Sequence, residues 1–215
     1  MEELLSPMPD SRITAGVILA AGRSRRMGRP KFSLEIPSSE EGPSRTFLEK
    51  ITLVFRKAGI ETIGVVVNPS DEVTVSRLNE EKRLGLLIII NPVPEAEMIE
   101  SIRRAREAFS DRERLLISLV DVPTIRPDAI KTMLQYETAD GVGILLPEYD
   151  DGYGHPVLIT RSLYTLLDDS LPQGLKTIIR EKPAMVERVR IEGRQPRDID
   201  TPEDYRRFLA SRIGP

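Results

Sequence analysis

The chain has 215 residues, enough for one α/β domain with small elaborations, and its 40% hydrophobic and 30% charged residues are ordinary for a globular fold. A formal net charge of −3 argues against a general nucleic-acid binder, which is basic overall. With no cysteine and a single histidine, His155, the chain excludes disulfides, thiolate chemistry and zinc sites built from several imidazoles.

Residues 1–12 mix Glu2, Glu3 and Asp10 with prolines, which suits neither a signal nor a transit peptide; they read as a flexible leader before a domain over 13–215. No apolar run approaches the ~20 residues of a membrane span, so a cytoplasmic protein is expected. The first strand begins near Thr14. Its β-branched run Val17-Ile18-Leu19 stops in the small residues Ala20, Ala21 and Gly22. A loop follows that carries Arg23, Arg25, Arg26 and Arg29 and closes on Gly28 and Lys31. Strand, small residues, then clustered cations is how an α/β protein presents backbone N–H groups and positive charge to phosphate. The spacing is neither the G-x-G-x-x-G dinucleotide fingerprint nor a Walker loop.

Residues 37–44 form a polar connection with proline and glycine. Thr46 then caps a helix whose apolar positions are Phe47, Leu48, Ile51, Val54, Phe55 and Ala58, and Gly59 ends it. Ile63-Gly-Val-Val-Val67 is a second strand, stopped by Asn68-Pro69, and residues 70–82 make a helix with Val73, Val75 and Leu78 inward. Leu86-Leu-Ile-Ile-Ile90 has the continuous apolar character of a strand buried on both faces. After Asn91-Pro92, the spacing of Ile99, Ile102, Ala105 and Phe109 marks a helix. A fourth strand over 115–120 ends on Asp121-Val-Pro123, Pro127 opens a helix with Ile130, Met133 and Leu134 inward, and 142–146 is a fifth strand.

This alternation predicts a single Rossmann-like, three-layer α/β domain with a mostly parallel, doubly wound sheet. Such sheets bind ligands beyond the carboxyl ends of their strands, where the arginine loop and Asp121 both fall. Past residue 146 come an acidic, glycine-bearing turn, a strand at Pro156-Val-Leu-Ile159, short helices over 161–168 and 173–181, and a strand over 186–191. Asp198-Ile-Asp200 leads into a terminal helix capped by Thr201, with Pro202 at its first position.

Asp121, at the carboxyl end of a buried strand, is placed either to hold Mg2+, which takes one or two carboxylates plus phosphates and water, or to form a turn before proline. His155 is either a phosphate contact or a structural residue beside proline.

The run Leu19-Ala-Ala-Gly-x-Ser-x-Arg26-Met-Gly-x-x-Lys31 resembles the signature loop of the MobA-like nucleotidyltransferases, the branch holding the molybdenum-cofactor cytidylyl- and guanylyltransferases. The resemblance implies a nucleotide-diphospho-sugar transferase type of fold and a Mg2+-dependent transfer of NMP from an NTP to a phosphorylated small molecule such as molybdopterin, with release of pyrophosphate. It places Leu19, Ala20, Ala21, Gly22, Arg23, Ser24, Arg26, Lys31 and Ser101 on the nucleotide, with Arg26 and Lys31 catalytic. Val120-Asp-Val-Pro123 looks like the family's metal-binding motif, and the acidic residue before Thr-Pro, Asp200, completes the metal pair, with Asp198 a further possibility. Gly154-His155-Pro156 resembles an acceptor-side element, joined there by Lys176.

The run Leu19-Ala20-Ala21-Gly22 looks more like the cytidylyl form of the family, so CTP is the expected donor. Two segments depart from the family pattern. Glu97-Met-Ile-Glu-Ser101 has Glu97 where the family has glycine, and Leu171-Pro-Gln-Gly174-Leu-Lys176 loses an acidic residue and has lysine for arginine. A sugar-phosphate acceptor, or a nucleotide-binding regulator without turnover, are the alternatives that these departures open. Neither nucleic acid nor membrane is an expected partner.

Overall fold

The computed structural model describes residues 13–37, 43–93, 98–168 and 170–211. Strand β1 (Thr14–Leu19) is buried along its whole length, because it has a parallel partner on each side: β4 (Ile63–Val67) and β6 (Arg114–Leu119). The eight-stranded sheet runs β10-β7-β9-β6-β1-β4-β5, with β5 (Leu87–Ile90), β7 (Ile144–Tyr149), β9 (Val157–Thr160) and β10 (Val186–Arg190), and with β8 (Gly152–Tyr153) hairpinned onto β7. All the long strands are parallel except β9, which runs antiparallel between β6 and β7. The mostly parallel sheet expected from the alternation is therefore present.

Alternate residues of each strand feed two cores. On one face Ile18, Val65, Leu116 and Leu145 meet helices α1 (Phe47–Lys57), α2 (Glu72–Glu81) and α4 (Pro127–Gln135). On the other, Val17, Val66, Leu115 and Ile144 meet α3 (Met98–Ala108), the 3₁₀ helix Arg161–Asp168 and α5 (Leu175–Glu181). The close approach of α1 explains Gly16: a Cβ there would stand 2.4 Å from the Phe55 ring. Thr46 caps α1 as expected, in a reciprocal box in which its hydroxyl accepts from the Glu49 N–H and Glu49 accepts from the Thr46 N–H.

Several expectations need correction. The 86–90 run is the sheet's edge and not a doubly buried strand; Leu87 is 47% exposed. On α2, Val75 and Leu78 face the core, but Val73 points outward. The 161–168 helix is of the tighter 3₁₀ form, and the next begins at Leu175, after Gly174 in a positive-φ conformation. Strand β7 starts two residues later than expected and runs to Tyr149. The polar connection is flanked by a short antiparallel pair, β2 (Glu35–Ile36) with β3 (Arg45–Thr46). The leader 1–12 and Glu97 lie outside the described residues.

Candidate active site

The end of β1 fixes the floor of the site. Ala20 N–H donates to the Val66 carbonyl and Val120 N–H to the Leu19 carbonyl, so the strand is held to both neighbours where the chain leaves the sheet. The arginine loop then folds around Ser24, a non-glycine residue at φ 48°. Its carbonyl accepts from the Met27 and Gly28 N–H groups, and its hydroxyl accepts from the Lys31 N–H at 3.2 Å. A 3₁₀ turn, Lys31–Ser33, follows and buries Phe32 as its anchor.

Asp121 follows β6 on the same rim, and Val122 N–H turns back to the Leu119 carbonyl. The closing segment is stitched directly to it: Ile199 N–H donates to the Asp121 carbonyl at 2.9 Å. The next residue, Asp200, is thereby delivered beside Asp121. Thr201 and Asp204 form a reciprocal capping box that starts α6 (Pro202–Ala210) immediately afterwards. Helix α6 packs Tyr205 and Phe208 edge-on against Phe47, and the Tyr205 ring lies under the Arg29 guanidinium.

The two carboxylates meet at one cation. Lys31 Nζ donates to Asp121 Oδ2 at 2.7 Å and to Asp200 Oδ1 at 2.5 Å, while Arg26 donates to Asp200 Oδ2 at 2.9 Å. These contacts span 90, 169 and 174 residues of sequence. Burial pulls the Lys31 ammonium down, but the hydrogen bonds to Asp121 and Asp200 outweigh it and leave its pKa above the ordinary 10.5. The hydrogen bond from Lys31, helped by the charge of Arg26, holds the Asp200 carboxyl below its ordinary 3.8 against an opposing desolvation.

Asp121 Oδ1 is buried with no hydrogen-bond partner. An orphaned carboxylate oxygen beside a second carboxylate fits a divalent ion such as Mg2+, which takes one or two protein carboxylates and completes its shell with phosphate and water. Among the described residues there is no cluster of three or more acidic or histidine ligands that would hold a metal unaided.

These groups line a cleft of roughly 430 Å³ at the carboxyl ends of the strands. Of the residues expected on the nucleotide, Leu19, Ala21, Gly22, Arg23, Ser24, Arg26, Lys31 and Ser101 line it, as do Asp121 and Asp200. Ala20 points the other way, into the core. The cleft is also lined by residues that the sequence did not mark as binding: Asn68, Asn91, Val93 and Met98. Asn91 is buried, donates to Ser101 Oγ at 3.0 Å and accepts from the Val93 N–H. The shared signal was an Asn-Pro pair closing two parallel strands, at Asn68-Pro69 and Asn91-Pro92.

His155 and Lys176 do not line this cleft. His155 precedes β9, and because β9 runs antiparallel, its start lies on the same rim as the end of β6. Burial pushes the imidazole below its ordinary 6.5, against the charges of Asp198 and Asp121 and a backbone hydrogen bond at Ile117. Asp198 is pushed up by desolvation and by the neighbouring charge of Asp121. Lys176 sits exposed on α5.

A sheet of this order, with a cationic loop facing paired carboxylates across a rim cleft, is the architecture of the nucleotidyltransferase class of α/β domain. The chain belongs to the family of the MobA-like NTP transferase domain, which matches residues 16–188. It is 28% identical over 208 residues, covering 95% of this chain and 92% of the relative, to a probable molybdenum cofactor guanylyltransferase of Mycolicibacterium paratuberculosis. It is 24% identical, covering 93% of this chain and 98% of the relative, to the nicotine blue oxidoreductase of Paenarthrobacter nicotinovorans. Among solved structures, Rv0371c of Mycobacterium tuberculosis H37Rv superposes with a TM-score of 0.73 at 24% identity, covering 92% of this chain and 98% of that one. A manganese complex of that protein superposes at 0.68, with the same identity and coverage. The inositol-1-phosphate CTP transferase of T. maritima superposes at 0.69 with 16% identity, covering 93% and 95%.

Proposed function

We propose that this chain transfers a nucleoside monophosphate from an NTP to a phosphorylated small-molecule acceptor, with molybdopterin the first candidate, and releases pyrophosphate. The observation that carries the reading is the convergence of Asp121 and Asp200 on the Lys31 ammonium, beside the Arg26-bearing loop. Among the described residues the cleft contains cations, amides and carboxylates but no strong nucleophile, which suits chemistry run by positioning and charge.

In this reading an acceptor phosphate oxygen bonds to the α-phosphorus, the bond from that phosphorus to the bridging oxygen breaks, and pyrophosphate leaves with the electron pair. Arg26 and the N–H groups of the signature loop hold the β- and γ-phosphates. Lys31 offsets the charge that grows on the α-phosphate. Mg2+ held by Asp121 and Asp200 would supply charge neutralisation across the phosphates. No general base is needed, since a phosphate monoester is already anionic near neutral pH. His155 and Lys176 are proposed on the acceptor side.

Two donors are supported by different observations. The run Leu19-Ala20-Ala21-Gly22 favours CTP, whereas the relatives named guanylyltransferases favour GTP. Pyrophosphate release from each of the four ribonucleoside triphosphates, with Mg2+ and with molybdopterin or a panel of sugar phosphates, separates these and fixes the acceptor. Tight nucleotide binding without turnover on any acceptor would mark a regulator instead. Asp121→Ala is expected to abolish pyrophosphate release while leaving the circular dichroism spectrum unchanged. Retention of full rate would remove Asp121 from the chemistry.

A further inference from the structure

We propose that Lys31 serves as a resident counter-cation that keeps divalent ions off the Asp121–Asp200 pair until a triphosphate draws it away, so that the metal enters as its complex with the nucleotide. The inference rests on the nucleotidyltransferase reading and adds to it the form in which the donor is taken up.

The four carboxylate oxygens carry the argument. Asp121 Oδ2 and Asp200 Oδ1 are both engaged by the same ammonium, Asp200 Oδ2 is engaged by Arg26, and only Asp121 Oδ1 has no partner. The Lys31 side chain is 12% exposed and that of Asp121 17%, so water screens this contact weakly. The Asp121 and Asp200 charges face those of Lys31 and Arg26, and Asp198 stands close enough to feel the charges of Asp121, Asp200 and Lys31. A lone dication arriving there must approach an ammonium that sits between the oxygens it needs; the repulsion grows as the surrounding dielectric falls.

A nucleoside triphosphate changes the balance. Its oxygens compete for Lys31 and Arg26 through charge-assisted hydrogen bonds; recruiting Lys31 frees Asp121 Oδ2 and Asp200 Oδ1, and recruiting Arg26 frees Asp200 Oδ2. The long, flexible lysine stem suits this exchange, since its ammonium is a point charge that can change partners while the backbone stays fixed at Ser24. The same side chain that guards the carboxylates then delivers its charge to the phosphates.

The test reads Mn2+ binding by electron paramagnetic resonance, independent of turnover. Without nucleotide, Lys31→Met is expected to bind Mn2+ about tenfold or more tightly than the wild-type chain. Lys31→Arg, which keeps the charge, stays weak. Asp121→Asn added to Lys31→Met removes the gain, which places the ion at the carboxylates. In the wild-type chain, a non-hydrolysable CTP or GTP analogue tightens Mn2+ binding by a similar factor. Equal Mn2+ affinity for wild type and a folded Lys31→Met would overturn the proposal, as would wild-type binding that ignores the analogue. If the analogue binds with Mn2+ but Lys31→Met changes nothing, this inference alone fails. If no analogue binds at all, the nucleotidyltransferase reading fails with it.

Discussion

The Asp200 carboxyl is more acidic in the folded chain than when free, chiefly through Lys31. A carboxyl with a depressed folded pKa adds stability that is complete above its unfolded value of 3.8 and is lost as pH falls through the lower folded value. Lys31 works in the opposite direction: its raised value means its share persists below 10.5 and is lost as pH climbs past the folded value. The Lys31–Asp200 ion pair is therefore intact across the neutral range. Asp200→Asn is expected to lower the melting temperature near neutral pH and to have no effect once both chains are protonated well below 3.8. Because the Asp200 side chain is one-third exposed, the neutral-pH loss should stay below about 1 kcal/mol, or ~2–4 °C. Thermal scans of both proteins at the two pH values check this; a deficit that survives at low pH would show that the pair is not its source. Lys31, Asp121 and Asp200 were legible in sequence because the motif spacing around Lys31, the Asp closing a buried strand before Val-Pro and the Asp before Thr-Pro are local patterns. Asn68 and Asn91 were read only as strand stops. Their place in the cleft depends on which strands are neighbours, which local spacing does not encode.

At the scale of elements, the delivery of Asp200 depends on two short devices: the Ile199-to-Asp121 backbone bond and the Thr201–Asp204 box that opens α6. Thr201→Ala removes one of them. The expected cost is about 1 kcal/mol of stability, the usual worth of an N-cap, together with a loss of turnover larger than that destabilisation explains. Denaturant unfolding and pyrophosphate release measured on the same sample separate the two effects. An unchanged rate per folded molecule would mean that the cap serves the helix alone. Most elements were readable from periodicity, caps and prolines, Thr46, Pro127 and Thr201 among them. The errors share a cause. The 86–90 run has the composition of a central strand, yet among the described residues no further strand pairs beyond it, and Leu87 reaches water. Nor does the pattern of Pro156-Val-Leu-Ile159 reveal that β9 runs against its neighbours, since burial on both faces looks the same in either direction.

For the molecule as a whole, two hydrophobic layers share a single sheet, so the domain over 13–215 is proposed to unfold as one unit. A ligand that binds only the folded chain raises stability by ~2.7 kcal/mol at a hundredfold excess over its dissociation constant. For a chain of this size that is a rise of roughly 5–10 °C. CTP or GTP with Mg2+ is expected to give a single transition shifted by that amount, and either component alone a smaller one. A shift with Mg2+ alone equal to that with the complex would count against metal entry with the nucleotide. The fold by itself does not choose the reaction: the chain's relatives include proteins named as a transferase and as an oxidoreductase. The chemistry is set by the side chains along the rim.

Strand β1 is clamped on both sides up to Leu19, and the chain is pinned again at buried Met27 and at buried Phe32. Everything between those posts is a short strap with immobile feet. Under the proposed function, clasping a polyphosphate would restrict only the peptide units between these posts, so the ordering entropy set against affinity would be small.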